Sequence, residues 1–541
     1  MIDNDKTHFD AIVIGTGFAG IYMLHKLRNE LGLKVRAFDK ASGVGGTWYW
    51  NKYPGARADT ESFVYRYSFD KETSEGWDWR NRYVDQPEML GYLQAVVDRH
   101  GLAKDIQLKT GIDSAVFDEI HHIWTLTTST GELFTARYLV NAVGVLSKIV
   151  IPQIPGRDKF QGQIVHTGAW PADLSLEGKR VGVIGTGSTG VQFICAASKL
   201  ARHLTVFQRS AQFCVPAGSR QVSEAYVAEY KNNFEQIWDG IRNSRIACGF
   251  EESGVSAMSV SEEERQKVFE HHWEIGNGFR FMFGTFSDIA VDPAANQAAS
   301  DFIRAKIRQI VKDPETARKL CPTDLYAKRP VCTNDYYETY NLPNVSLVSL
   351  PENPIKELTA NGVLTEDGVE HKLDLLVFAT GFETVEGSYN QMEIRGRGGE
   401  TLQHHWKDAP SSYLGVATAG FPNMFMVLGP NSAFSNLPPS IESQVEWIGE
   451  LIGWAEGEST PVIETTRAAE EAWTATCKEI AAYTLFPKVK SWIFGENIAG
   501  KSSRVLFYFG GLAGYRAKLR EVADADYEGF ILHSDPSSMV A

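Results

Sequence analysis

Short, nearly continuous apolar runs bounded by glycine mark where this chain crosses its own interior. Ala11-Ile-Val-Ile14, Arg180-Val-Gly-Val-Ile184 and Asp374-Leu-Leu-Val-Phe-Ala379 lack the alternation of a half-exposed strand and predict parallel strands buried on both faces. The first two run straight into glycine turns, Gly15-Thr-Gly17-Phe-Ala-Gly20 and Gly185-Thr-Gly187-Ser-Thr-Gly190, the first of which opens the helical pattern Ile21-Tyr-Met-Leu-His-Lys-Leu. In such a unit the first glycine permits the turn and the second lets the backbone approach a pyrophosphate. The third allows close helix-to-strand packing, with the phosphates resting on the helix N-terminus. The prediction is an α/β protein with two Rossmann-like dinucleotide-binding domains.

The strand that follows each unit ends in a charge. Lys34–Phe38 leads to Asp39 and His203–Gln208 leads to Arg209, each 19 residues beyond the last glycine of its loop. A carboxylate accepts hydrogen bonds from ribose hydroxyls and repels a 2'-phosphate, whereas a guanidinium attracts one. The first loop therefore suits a nucleotide with a free 2'-hydroxyl and the second suits NADP(H).

Between and after these units the pattern changes. The strand Tyr138–Gly144 closes the first region, and a connector with Pro152 and Pro155 leads into the second. From 216 to about 329 the chain turns polar and helix-like, as in Ser261-Glu-Glu-Glu-Arg-Gln-Lys-Val-Phe, which predicts a helical insertion. Pro438-Pro439 opens a predicted helix beginning Ser440-Ile-Glu-Ser-Gln-Val.

Composition narrows the partners. With 53 basic and 67 acidic residues the net charge of -14 disfavours nucleic acid, and no run approaches the roughly 18 apolar residues of a membrane span. The six cysteines form no CxxC pair and no Cys/His metal spacing, so no metal is expected and dithiol redox chemistry is disfavoured. A nucleotide strand beginning near Asp10 leads to the expectation of a cytoplasmic, monomeric enzyme without a cleavable leader.

Phe160-Gln-Gly162-Gln-Ile-Val-His166-Thr-Gly-Ala-Trp170-Pro171 matches FxGxxxHxxxWP at every fixed position and lies between the two nucleotide regions. With Gly45-Gly46-Thr-Trp48, the Ala379-Thr-Gly381 turn, Gly46–Thr60, Tyr326-Ala-Lys328-Arg329-Pro and Ser491–Lys501, it resembles the type I Baeyer-Villiger monooxygenases, class B flavoproteins, and most of all the cyclohexanone monooxygenases. The resemblance spans nearly the whole chain.

That resemblance implies FAD in the first cradle, held by Gly15, Gly17, Phe18, Ala19, Gly20, Asp39, Lys40, Gly46, Thr47, Trp48, Tyr65 and Ile112. NADP would meet Asp59, Gly185, Thr186, Gly187, Ser188, Thr189, Gly190, Gln192, Arg209, Lys328, Thr380 and Trp492. It implies FAD-domain segments over 1–145 and 381–541, NADP-domain segments over 146–215 and 330–380, the insertion over 216–329, and a mobile lid near 485–505. His166 and Trp170 fall to the interdomain linker.

The implied reaction is NADPH- and oxygen-dependent conversion of a hydrophobic cyclic ketone to an ester or lactone through an FAD C4a-peroxide. Arg329 would hold the peroxide and the oxyanion of the carbonyl adduct, a task suited to a cation that does not lose its proton, with Asp59 as its partner. Leu146, Phe250, Phe279, Phe434, Leu437 and Phe507 would line the substrate pocket. The segment Asn431-Ser-Ala-Phe-Ser-Asn436 departs from the family pattern, and oxidation of sulfur or nitrogen centres by a related class B enzyme remains the alternative.

Overall fold

Two sheets, one mixed and one wholly parallel, each centred on a parallel strand that ends in a glycine turn, organise the chain. The computed structural model describes residues 7–77, 79–457, 462–498 and 500–533. In the first sheet His8–Ile14 lies between Val35–Phe38 and Leu133–Asn141, parallel to both, and Ile14 is level with Phe38 and Asn141. Gly15 and Asp39 consequently leave the sheet at one edge, the carboxyl ends of the strands, where open α/β sheets bind ligands. Ile123–Thr128 and Ile112–Asp118 extend this sheet on the far side of Leu133–Asn141, and Met424–Met426 returns from late in the chain to pair with Leu133–Asn141.

The second sheet runs Val345–Ser349, His203–Gln208, Arg180–Ile184, Leu375–Phe378 and Gln163–His166, every pair parallel. Here Ile184 is level with Phe207 and Phe378, so Gly185, Arg209 and Ala379 share an edge. The strand expected over Tyr138–Gly144 stops at Asn141. The reason is steric: Gly15 packs on the carbonyl of Ala142, so the chain must turn away there.

The FxGxxxHxxxWP stretch forms the edge strand of the second sheet and the turn beyond it. Only glycine fits at Gly162, where a Cβ would lie 2.3 Å from the Phe160 ring. Burial lowers the His166 pKa to about 4, so the ring is neutral; it accepts from the Gly168 amide and meets Phe382 edge-on at 5.6 Å. Trp170 packs on Phe193 of the helix that follows the second glycine loop.

Two connections link the sheets. Lys148–Ile149 on the outward path pairs antiparallel with Phe382–Glu383 on the return, and the Val385 amide donates to Val145 O at 2.8 Å. Val385 is a buried β-branched residue at φ 57°, a conformation that persists only where its surroundings impose it.

The segment 216–329 folds into six helices, among them Glu262–Ile275, Gly278–Gly284 and Pro293–Ile310. Its two ends are held together by a short parallel pairing of Cys214–Val215 with Val331–Cys332, which brings Arg329 back beside the second sheet. Among the described residues no helix is long and apolar enough to cross a membrane.

The helix Leu437–Gly457, with Pro438 and Pro439 in its first turn, buries Glu442. Its carboxylate accepts from Ser68 N and Ser68 Oγ, both at 2.5 Å, and Arg242 of the insertion donates to the same Ser68 Oγ. Burial, reinforced by the neighbouring Glu446, pushes the Glu442 pKa up to about 7. A carboxyl that binds its proton more tightly folded than unfolded stabilises the fold at low pH, and this contribution is lost as pH rises through the folded value. The unfolding free energy of Glu442→Gln relative to the native protein should therefore improve progressively from pH 4.5 to pH 7, as measured by urea titrations across that window.

Candidate active site

The two glycine loops are built by the same contacts. A Cβ at Gly20 would lie 1.8 Å from Gly15 O, and one at Gly190 would lie 2.3 Å from Gly185 O. The helices they open, Phe18–His25 and Ser188–Ala197, have Gly17 and Gly187 as N-caps and no side chain on their first-turn amides. Among the described residues nine other helices are capped by Asp, Ser, Thr or Asn side chains, for example Asp85, Ser261 and Thr466, while a few, such as Phe234–Arg242 and Gly511–Asp524, are likewise without a side-chain cap. Two bare helix N-termini, each at the carboxyl end of a central parallel strand, fit two pyrophosphates.

The strand tips differ as their charges require. Thr16 donates to Asp39 Oδ2 from both its amide and its hydroxyl at 2.8 Å, and Ala41 N donates to Oδ1 at 2.8 Å, so the loop itself aims the carboxylate. In the second loop Thr186 donates instead to the Ser210 carbonyl, and the Arg209 side chain is exposed. Lys328, paired with Asp324 at 2.6 Å, lines a pocket with Gln212, Phe213, Tyr326 and Arg329.

Gly46 packs backbone to backbone on Gly17, where a Cβ would come within 2.8 Å, and the buried Trp48 meets Tyr65 edge-on, as Tyr65 meets Phe18. Lys40 reaches Gln391, Ile112 opens its strand, and Thr380 donates to Val150 O in the return connection. Thr47, Ala19 and Thr189 lie in the first turns of their helices.

Between the two cradles stands Arg329. One guanidinium nitrogen donates to Asp59 Oδ2 at 2.9 Å, to Ser188 Oγ at 2.7 Å and to Pro330 O at 3.0 Å. Asp59 is 3% exposed and also accepts from Gln192 Nε2 at 2.8 Å; the Gln192 carbonyl in turn accepts from Tyr53 OH at 2.9 Å. Burial opposes the arginine's charge, but the adjacent Asp59 outweighs it and holds the guanidinium pKa above its ordinary value. The Phe279 ring lies 5.1 Å from the guanidinium carbon. The result is a fixed positive centre, a quarter exposed, tied on one side to the first nucleotide region and on the other to the first turn of the second.

An aromatic cluster is tied to the residue next to Asp59. Phe434 meets Phe507, Phe486 and Phe509 at 5.2–5.7 Å, and Trp492 meets Phe507 edge-on. This wall exists because Ser432–Ala433 pairs with Phe507–Tyr508, with Asn431 at φ 64° turning the chain into the pairing. Thr60, next to Asp59, donates to Asn436 Oδ1, which brings the wall toward the arginine, with Leu437 half-buried just beyond. Phe250 stacks on Arg280, and Leu146 is half-buried in the outward connection.

Segment 491–504 docks on the return connection. Thr384 donates to Trp492 O, Asn497 to Phe382 O, Lys501 to Glu383 and Glu386, and Arg504 to Glu386. Ala499, within the segment expected to form a lid, lies outside the described residues.

Sequence reasoning placed Arg329 with Asp59 but assigned Ser188 and Gln192 only to nucleotide contact, whereas both also touch this pair. It missed Tyr53, Phe486, Phe509 and Asn277; for the last, the Gly276-Asn277-Gly278 triplet was a signal. Among the described residues no group of three or more His, Cys, Asp or Glu could hold a metal ion.

A sequence profile for pyridine nucleotide-disulphide oxidoreductases matches residues 9–237. The chain is 99% identical over its full 541 residues to a phenazine N-monooxygenase of Lysobacter antibioticus, all of which is covered. It is 53% identical to a cyclohexanone 1,2-monooxygenase of Acinetobacter sp., with 97% of each chain covered. It superposes on the crystal structure of cyclohexanone monooxygenase from Rhodococcus sp. Phi1 bound to NADP+ with a TM-score of 0.97 at 56% identity, covering 98% of this chain and 99% of that one.

Removing Asp59 leaves a mostly buried guanidinium without its countercharge. Asp59→Ala should lower the unfolding free energy by on the order of 2–3 kcal/mol, less than a fully buried pair because the arginine keeps some solvent contact, as read from denaturant titration.

Proposed function

Because the chain belongs to the family of FAD- and NADP-dependent Baeyer-Villiger monooxygenases, we propose that it transfers one atom of dioxygen to a ring nitrogen of a flat aromatic heterocycle of the phenazine type. NADPH is the reductant, the second oxygen atom leaves as water, and the product is the N-oxide. The observation that carries this reading is the 99% identity, without gaps in coverage, to a phenazine N-monooxygenase. The wall of Phe434, Phe486, Phe507 and Phe509 supports it, since aromatic edges and faces suit a planar ring system.

When bound, FAD would take up electrons from NADPH and pass them to dioxygen, activating it for transfer. The chain's own residues bind, orient and protect. Residues 1–145 and 381–541 hold FAD through the first bare helix terminus, Asp39 and Gly46. Residues 146–215 and 330–380 hold NADP through the second, with Arg209 and Lys328 at the 2'-phosphate, and 216–329 is the insertion that carries Phe279. Segment 485–505, with Trp492, closes over the site and excludes water.

Arg329 with Asp59 favours a second reading, oxygen insertion beside the carbonyl of a cyclic ketone. Attack on a carbonyl carbon creates an oxyanion that a fixed guanidinium stabilises. In nitrogen oxidation the ring-nitrogen lone pair attacks the activated oxygen and positive charge develops on nitrogen, so a fixed guanidinium offers no such stabilisation and Arg329 serves only to position.

The experiment offers phenazine and a ketone panel with NADPH and oxygen, and identifies products heavier by one oxygen atom by fragmentation. N-oxide from phenazine is expected; lactone without N-oxide would overturn the first reading. Arg329→Ala should cost lactone formation about a hundredfold or more while costing N-oxide less, so that the product ratio shifts toward nitrogen. Arg209→Ala should raise KM for NADPH by about tenfold and leave that for NADH nearly unchanged, measured by steady-state kinetics with each coenzyme.

A further inference from the structure

Asn277 has a backbone conformation that residues with side chains rarely adopt, with φ 86° and ψ 119°, and it is buried. Its amide uses every hydrogen-bonding position it has. Oδ1 caps the helix Gly278–Gly284 by accepting from Phe279 N at 2.9 Å and Arg280 N at 3.0 Å. Nδ2 donates to Asp59 O at 3.0 Å and to Tyr83 OH at 3.1 Å. Aspartate could cap the helix but has no hydrogen to donate, and serine has a single donor on a shorter arm; an amide accepts from both first-turn amides at one atom while its other atom donates to the Asp59 carbonyl and to Tyr83.

The two ends of this bridge reach two of the groups around Arg329. One is Asp59, which carries its countercharge, and the other is Phe279, whose face lies 5.1 Å from the guanidinium. A second strut runs parallel to the first. Arg280, next to Phe279, donates to Glu61 Oε1 at 2.9 Å, and Glu61, two residues past Asp59, also accepts from Arg82 at 2.8 Å and Tyr226 OH at 2.7 Å. A strained residue persists only where its surroundings over-determine it, and such residues gather where geometry serves function.

We propose that Asn277 is a positioning residue that fixes Asp59 and Phe279 relative to one another and so sets the direction in which Arg329 presents its free edge. Its contribution is to coupling, the fraction of reducing equivalents that end in oxygenated product, rather than to nucleotide affinity or flavin reduction. The proposal rests on Arg329 and Asp59 being the working pair, and it is independent of whether the substrate is a heterocycle or a ketone.

The test compares Asn277→Ser, Tyr83→Phe, Glu61→Gln and Arg329→Ala as flavin-loaded enzymes. Thermal unfolding, visible circular dichroism of the flavin and the NADP+ dissociation constant are recorded beside rapid-reaction reduction and hydrogen peroxide released per NADPH. Asn277→Ser should keep its flavin and its NADP+ affinity, alter the flavin dichroism, be reduced at a near-native rate, and lose about tenfold or more of product per NADPH to peroxide. Glu61→Gln should do the same to a smaller degree. Tyr83→Phe, which removes a partner of Asn277 but no link to Asp59, should stay coupled.

Equal uncoupling in Tyr83→Phe and Asn277→Ser would show a merely structural residue and overturn the proposal, as would native coupling and dichroism in Asn277→Ser. If Asn277→Ser does not fold, Glu61→Gln decides by the same readings, native coupling and dichroism overturning the proposal. Full coupling in Arg329→Ala would instead overturn the working pair on which the proposal stands.

Discussion

The ion pair of Arg329 with Asp59 is the constraint around which the rest is arranged. A guanidinium and a carboxylate taken largely out of water cost more to desolvate than their attraction returns unless geometry and further hydrogen bonds complete them. Here Ser188, Gln192 and the Pro330 carbonyl complete them. Ser188 and Gln192 come from the helix of the second glycine loop, Asp59 from the stretch that follows Val35–Phe38, and Arg329 with Pro330 from the chain re-emerging from the helical insertion. Three distant parts of the sequence are thereby committed to one small volume, and the short pairing of Cys214–Val215 with Val331–Cys332 delivers the arginine to it.

The two nucleotide units show how a duplicated device is differentiated. Both loops use the same glycine-on-carbonyl contacts and both leave the first helical turn uncapped. The difference is made one residue beyond the strand, and it is propagated locally. The first loop spends its threonine on holding the acidic tip, and the second spends the corresponding threonine on backbone, so that the basic tip turns to solvent.

What could be read from the sequence was what local chemistry dictates. Buried strands announce themselves by unbroken apolar runs, glycine turns by spacing, and strand-tip charges by their distance from the loop. The pairing of Arg329 with Asp59 came through family likeness, because nothing local joins residues so far apart. The aromatic wall was only partly visible: Phe434 and Phe507 were anticipated, but Phe509 joins it through a two-residue pairing between remote segments that leaves no periodic trace, and Phe486 through ring contacts from a short helical turn. Asn277 escaped because its importance lies in a backbone angle, and Val385 for the same reason, since a β-branched residue in a buried stretch reads as ordinary strand.

The outward and return connections, Lys148–Ile149 and Phe382–Glu383, are hydrogen-bonded to each other. The two nucleotide units are therefore joined by one paired ribbon rather than by two separate tethers. Segment 491–504 is anchored to that same ribbon by Thr384, Glu383 and Glu386. One short ribbon thus gathers the outward chain, the returning chain and the segment around Trp492 at a single seam.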